Sequence, residues 1–357
     1  MSNTFGQKFR ITTSGESHGK SISVIVDGCP AGLFLQIEDI QKELDRRKPG
    51  QSKVTTQRKE ADLVEIHSGV FEDKTTGTSI MMLIPNTNFD SSKYEPFMNV
   101  FRPGTGDYTY WKKYGIRDWR GGGRASGRET AARVAAGAIA KKILEIEKIK
   151  VIGYTIKIRK IDADRNKFDF EEIEKNLVRC PDKEAAKIME EEIIRVKKLG
   201  NSVGGMVEII AKGVPPGLGE PIFGKLDEAI SDALGSIGAV KAVEIGAGVR
   251  VAEMYGSECN DQMTRDENGK IKFLTNNAGG ILGGISTGQD IIARIAVKPT
   301  PSISMPQETV DTAGNKTTIE IKGDHDPCIC PRIVPVAEAM VALVLVDYLL
   351  LNKTSKL

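Results

Sequence analysis

The chain has 357 residues, enough to bury one large core or two ordinary ones, and its 50 basic and 48 acidic residues leave a formal charge of +2. That balance, with 6% aromatic residues, excludes the global charge and stacking platforms of a nucleic-acid binder. The opening MSNTFGQKFRITTSGE lacks the apolar core of a signal peptide. The most apolar run, Met340 to Val346, is too short to span a bilayer. The five cysteines are odd in number with no CxxC pair, so they read as reduced thiols in a cytoplasmic protein.

The first strand signal is FRITT, followed by Gly15-Glu16-Ser17-His18-Gly19 and a second strand, SISVIV. Glycines on both sides of Glu-Ser-His imply a tight loop that displays a side chain. His18 could serve as a general acid or base, or it could be a capped hairpin histidine. A likeness to the G-x-S-x-G elbow of serine hydrolases is weak, because the elbow needs a helix after the turn. VIVDGCPAGL then leads to an amphipathic helix with Ile37, Ile40 and Leu44 on one face. Asp45-Arg46-Arg47-Lys48-Pro49-Gly50 closes it, and Lys53 and Arg58 extend the positive character. Cations at a helix C-terminus are favourable for dipole reasons alone. Thr76-Gly77 opens the apolar strand IMMLI.

Phe101 to Lys142 is the most informative stretch: FRPGTGDYTYWKKYGIRDWRGGGRASGRETAARVAAGAIAKK. Arg117, Arg120, Arg124 and Arg128 have helix-like spacing, but Gly121, Gly122 and Gly123 argue against one helix, each costing about 1 kcal/mol in a helix interior. A loop that carries guanidinium groups and bare N–H groups to a helix N-terminus suits a small, multiply charged anion.

Asp162 to Leu199 is highly charged, with two helical patterns, EEIEKNLV and KEAAKIMEEEIIRVKKLG. It reads as a peripheral excursion without chemistry. VEIIAKGVPPGL follows, with a helix presenting Phe223, Leu226, Ile230 and Leu234. Thr287-Gly288 opens IIARIAV, and Lys298-Pro299-Thr300-Pro301-Ser302 offers donors after the glycines of GGILGGISTG. Glu308 to Ile321 reads as a hairpin around DTAGN. Gly323-Asp324-His325-Asp326-Pro327-Cys328 is a catalytic candidate or a polar turn. Cys328 and Cys330 invite a metal, but with three histidines in the chain no metal site is expected.

The two halves repeat in order: a β-branched run ending in G-x-P-x-G-L, an amphipathic helix, a Thr-Gly strand, a basic-Pro loop and a small-residue helix. Helices apolar nearly all round are buried. The expected fold is α+β: a β-α-β sandwich, a central helical layer between two antiparallel sheets, with internal pseudo-twofold duplication. One domain over 1–357 is expected, with half-repeats of about 1–160 and 200–357 and the excursion at about 162–199.

GESHG, DRRKPGQS, TTQRKEAD, SGVFEDKTTGTSI, RPG-x-x-DYTY, KYGIRDWRGGGRASGRETAARVAAGA, AVKAVEIGAG, NNAGGILGGIS, KPTPS and HDPC-x-x-PR occur in that order. Over essentially the whole chain this resembles the chorismate synthase family. The resemblance implies a homotetramer that eliminates phosphate and the C6 proton from 5-enolpyruvylshikimate-3-phosphate, giving chorismate. It implies reduced FMN with no net redox change. With no appended reductase domain and no strand–GxGxxG–helix unit in the sequence, NADPH is expected to act only indirectly, through a separate flavin reductase, and the composition points to neither nucleic acid nor membrane as partner. By resemblance, Arg47, Lys53, Arg102, Thr105, Ser126 and Arg128 bind substrate, and His18 with Ser17 serves the leaving phosphate. Arg124, Ala125, Ser126, Gly238, Ala239, Gly283 and Lys298, Pro299, Thr300, Pro301 and Ser302 hold the flavin, with Asp324 beside it. Asp326 is the aspartate that works with the flavin N5 on the C6 proton.

Two positions depart from the family pattern. Thr105-Gly106 stands where His-Ala is usual, and Asp324 stands where Arg is usual. Two readings follow: an active enzyme with an altered site, or a weakened or non-catalytic homologue that binds flavin or a phosphorylated ligand.

Overall fold

Alternation of apolar and polar residues builds the first sheet. A computed structural model describes residues 3–51, 54–55, 60–87, 89–321, 323 and 325–356. The first half contains Thr4–Phe5 (β1), Arg10–Ser14 (β2), Ser21–Asp27 (β3), helix Ile37–Arg47 (α1) and Glu65–Ile66 (β4). It continues with the small hairpin Val70–Phe71 (β5) and Lys74–Thr75 (β6), then Ile80–Pro85 (β7), Asp107–Tyr114 (α2) and Thr130–Ile146 (α3). Five strands form an antiparallel sheet in the order β1-β2-β3-β7-β4. Its inward residues, among them Ile22, Val24, Val26, Ile80, Met82 and Ile84, are buried against the helices.

The second sheet draws on Lys150–Ile158 (β8), Ile161–Asp162 (β9), Gly205–Lys212 (β10) and Val240–Ile245 (β11), with helices Lys183–Lys198 (α4), Leu226–Gly235 (α5) and Gly256–Cys259 (α6). Two hairpins follow, Met263–Arg265 (β12) with Ile271–Phe273 (β13) and Ile281–Leu282 (β14) with Ile285–Ser286 (β15). Then come Ile291–Val297 (β16), the hairpin Gln307–Val310 (β17) and Lys316–Ile319 (β18), and the last helix Cys330–Asn352 (α7). The sheet order is β11-β16-β10-β8-β9, again antiparallel.

Read from the other edge, β9-β8-β10-β16-β11 matches β1-β2-β3-β7-β4, with α5 in the place of α1 and α7 in the place of α3. The duplication reaches single bonds. Thr75 Oγ1 donates to Pro30 O at 2.6 Å and accepts from Leu33 N at 3.0 Å. Ser286 Oγ donates to Pro215 O at 2.6 Å and accepts from Leu218 N at 2.9 Å. Each hydroxyl ties one copy of the G-x-P-x-G-L turn. By sheet membership the first half ends before Lys150 rather than at about 160, because β8 pairs with β10.

Helices α1, α3, α5 and α7 fill the space between the sheets and share one core cluster. Helices α3 and α7 approach so closely at Gly137 that a Cβ there would overlap Ala339. Three sequence expectations change. Phe223 lies outside α5 and is exposed, since the helix begins at Leu226. EEIEKNLV forms a 3-10 turn, Phe170–Lys175, rather than an α-helix. The apolar run at Met340 to Val346 belongs to the longer α7, which by length and composition could cross a membrane, yet 94% of its apolar window is buried inside the protein. It is a core helix whose two acids are satisfied: Glu338 pairs with Arg46 and Lys141, and Asp347 accepts three backbone N–H groups from Gln7, Lys8 and Phe9. The excursion lies on the outer face of the second sheet, where Phe168 and Phe170 meet the Tyr154 ring edge-on.

Candidate active site

The β2–β3 turn is tight because Gly15, at φ +94°, has the Ser21 and Ile22 backbone where a Cβ would stand. The turn buries Ser17 and His18. His18 Nδ1 lies 3.0 Å from Ser91 Oγ, and Phe89 and Tyr94 flank its ring. Its other nitrogen, Nε2, faces Gly121, where a Cβ would overlap the ring. Ser17 Oγ is buried without a hydrogen-bond partner among the described residues. Such a group costs about 1–3 kcal/mol, so its retention points to a ligand.

Asn86 joins this loop to a cationic cluster. Its Nδ2 donates to Glu16 O and Gly19 O at 3.0 and 2.8 Å, while its Oδ1 accepts from Arg128 Nε at 2.7 Å. Arg128 Nη1 also donates to Asp62. Arg47, the last residue of α1 and 1% exposed, donates to Arg128 O at 3.3 Å and holds its Nε 3.7 Å from Asp62. Arg332, in the first turn of α7, donates to Arg47 O at 3.2 Å and pairs with Asp326. Among the described residues of this cluster, three guanidinium groups face two carboxylates. Burial pushes the Arg47 guanidinium down to about 9; Asp62 and Asp326 oppose the push, and Arg332 and Arg128 add to it. An anion placed among them would relieve that repulsion.

A third part closes over the first two. Arg102 holds Asp107 by a bidentate pair at 2.8 and 2.8 Å, and Arg117 stands 3.4 Å from the same carboxylate. Burial pushes the Asp107 carboxyl up, but Arg102 outweighs it and holds the group below the usual carboxylate range. Thr105 Oγ1 donates to Arg102 O at 2.9 Å and accepts from Asp107 N at 3.3 Å, so its hydroxyl is bonded within its own turn just ahead of α2. Lys298 Nζ donates to Gly104 O at 2.5 Å. A Cβ on Gly104 would stand 3.0 Å from Pro301, and one on Gly106 would stand 3.2 Å from Ala125. The loops at 102–107, 123–126 and 298–301 therefore meet. Thr300 Oγ1 is buried there without a partner among the described residues.

Other expected residues have structural work. Arg124 ties its loop to Gly15 O, Thr13 and Asn3, and Ser126 Oγ accepts from Arg128 N at 3.3 Å. Ala239, at φ +76°, accepts from Lys298 N at 2.9 Å, which puts Gly238 and Ala239 beside the Lys298–Ser302 loop. Gly283 lies in the turn between β14 and β15, a hairpin that meets the start of α5, where Gly284 O accepts from Leu226 N. Lys53 and Asp324 lie outside the described residues. Sequence reasoning missed Asp62, Asn86, Ser91 and Arg332 as parts of the site. Asp62 and Arg332 sit inside the segments TTQRKEAD and HDPC-x-x-PR, which was the available signal.

Fold and site together define an α+β sandwich protein with a buried cluster of arginines and aspartates beside the Ser17-His18 turn. The family model described as chorismate synthase matches residues 9–350. Chorismate synthase from Chloroflexus aurantiacus is 54% identical, covering 99% of this chain and 97% of the relative. Those from Methanococcoides burtonii and Archaeoglobus fulgidus are 58% and 56% identical, each over 98% of this chain and over 96% and 98% of their own lengths. A solved structure described as a crystal structure of chorismate synthase matches with TM-score 0.78 and 33% identity, covering 98% of this chain and 93% of its own. The chain belongs to the chorismate synthase family, whose members are carbon–oxygen lyases acting on phosphates.

Proposed function

We propose that this chain converts 5-enolpyruvylshikimate-3-phosphate to chorismate by 1,4-anti-elimination, the last common step of the shikimate pathway. The observation that carries the reading is the buried set of Arg47, Arg128 and Arg332 against Asp62 and Asp326, tied through Asn86 to Ser17 and His18. The three guanidinium groups offset the phosphate's charge as its C–O bond breaks. Ser17 Oγ and His18 Nε2 supply protons or hydrogen bonds to the departing oxygens. Asp326, held by Arg332, accepts the proton from C6 as the new double bond forms. The weakened-homologue reading is not favoured, since full-length relatives at 54–58% identity carry the synthase name.

Reduced FMN is proposed to bind at the meeting of the three loops, where Thr300 Oγ1 and Lys298 Nζ are donors and Gly104 and Gly106 let the loops pack closely on Pro301 and Ala125. Arg124, Ser126, Gly238, Ala239, Pro299, Pro301 and Ser302 complete the proposed flavin contacts, with Gly283 and Asp324 as further members. When bound, the reduced flavin lends electron density to the substrate ring. Arg102, Thr105 and Lys53 complete the proposed substrate contacts. The proposal extends to a single domain acting as a homotetramer in the cytoplasm, with NADPH used only through a separate reductase.

An anaerobic assay with photoreduced FMN tests the reaction. Chorismate should form, and a folded protein that forms none overturns the reading. Light scattering tests assembly, where a 38.8 kDa species would overturn the tetramer.

A further inference from the structure

Arg179 belongs to the charged segment 162–199, which has no part in the reaction as described. Its backbone sits at φ +55°, a conformation uncommon outside glycine, and the residue is 7% exposed. Neighbours hold it there. Arg179 O accepts from Thr155 N at 2.8 Å, and the Asn176 side chain bonds both the N–H and the carbonyl of Cys180, at 3.1 and 2.8 Å. A strained backbone fixed from both sides is a reason to ask where its side chain is sent.

The Arg179 guanidinium spans two backbone segments. Nη1 donates to Pro331 O at 2.5 Å. Nη2 donates to Arg46 O at 3.0 Å, and Nε to Glu174 at 3.2 Å. Pro331 O and Arg46 O belong to the peptide groups that lead into Arg332 and Arg47. One guanidinium therefore holds the two chain segments from which two of the three cluster arginines project. Arg332 closes the ring by donating to Arg47 O at 3.2 Å.

We propose that Arg179 is a positioning residue for the anion pocket, fixing Arg47 and Arg332 relative to each other so that one phosphate meets both. It does not touch substrate. The geometry needs Arg: a planar fork reaches two carbonyls and a carboxylate together, which one ammonium on a flexible stem does not. The proposal rests on the reading of the arginine cluster as the phosphate site.

The test measures KM for 5-enolpyruvylshikimate-3-phosphate, kcat and the thermal midpoint for Arg179→Lys, Arg179→Ala and Arg47→Lys in the anaerobic assay. Arg179→Lys should raise KM at least tenfold with a smaller change in kcat. Arg179→Ala should raise it further, and added guanidinium ion should bring that KM back toward wild type. If Arg179→Ala fails to fold, Arg179→Lys decides. A folded Arg179→Lys with wild-type KM, whatever its thermal midpoint, overturns the positioning role, as does a loss confined to kcat. The Arg47→Lys control separates the two ideas. If it raises KM while Arg179→Lys does not, only the positioning role falls. If neither moves KM, the phosphate-site reading falls and takes this inference with it.

Discussion

Gly121 stands against the His18 ring, so that a Cβ on it would overlap Cδ2 and Nε2 and come within 2.8 Å of Ser17 Oγ. The residue holds φ +63°, and Gly122 and Gly123 are left-handed as well, at +87° and +52°. The triple glycine therefore lets a backbone loop lie directly on His18 and Ser17.

Gly121→Ala should displace both side chains. Turnover should fall about 10²–10⁴-fold, the range for loss of a positioned proton donor. The fold should persist, because the strain is local to a loop. Steady-state kinetics with circular dichroism checks this, and wild-type turnover would remove the loop from the mechanism.

Asp62→Asn should destabilise the protein by about 3–5 kcal/mol, since it leaves Arg47 and Arg128 without their buried carboxylate. Inorganic phosphate should then stabilise the variant more than the wild type, because the ion replaces the missing charge. Phosphate at about 100 times its Kd adds roughly 2.7 kcal/mol. Urea unfolding with and without phosphate reads both effects. Equal stabilisation of the two proteins would contradict the charge argument.

Glu338 makes stability depend on pH. Burial pushes its carboxyl up, but Lys141 and Arg46 outweigh burial and hold it well below the usual carboxylate range. The unfolded chain therefore binds this proton more readily than the folded one. The stabilisation is complete above the unfolded value, about 4.3, and is lost as pH falls below it toward the folded value. Glu338→Gln should be less stable at pH 7 and should show a flatter fall in acid. Urea midpoints between pH 7 and pH 3 measure it, and parallel curves for the two proteins would exclude Glu338 as the source.

Thr105→Val should cost about 1 kcal/mol, the net worth of a typical hydrogen bond, and Thr105→Ser should cost little. KM for the substrate should rise in Thr105→Val, as expected of a proposed substrate contact, while kcat changes less than threefold in either, since the hydroxyl bonds to Arg102 O and Asp107 N are local. An unchanged KM removes Thr105 from the substrate contacts. A tenfold loss of turnover in a stable Thr105→Val protein would instead assign the hydroxyl to the chemistry.

Short strand-like runs such as FRITT, SISVIV and the apolar IMMLI revealed Arg10–Ser14, Ser21–Asp27 and Ile80–Pro85, and the repeated turn revealed the paired sheets, because both signals are local. Helix α7 reaches back to Cys330, past Pro331 and Pro335, which the small-residue pattern VAEAMVALVLVDYLL does not signal, and the fold buries and satisfies its Glu338 and Asp347. The site was legible in its residue types, not in its wiring. Nothing in the chain pairs Asp62 with Arg128, 66 positions away, or sends Arg179 to Pro331, 152 positions away. Such partners are fixed by the packing of sheets and helices, which local patterns do not encode.

Asp347 accepts the N–H groups of Gln7, Lys8 and Phe9 at 2.8, 2.6 and 2.9 Å, so the first turn of the chain is completed by nearly the last helix. The seam at Gly137 likewise waits for Ala339. On the ribosome, at about 5–20 residues per second, α3 emerges roughly 10–40 s before α7 is made. Through that interval the first sheet and its helices carry an apolar face with no cover, as a nascent chain whose folding cannot finish before its synthesis does. How long that face stays open to chaperones or to neighbouring chains is set by translation speed across the second half.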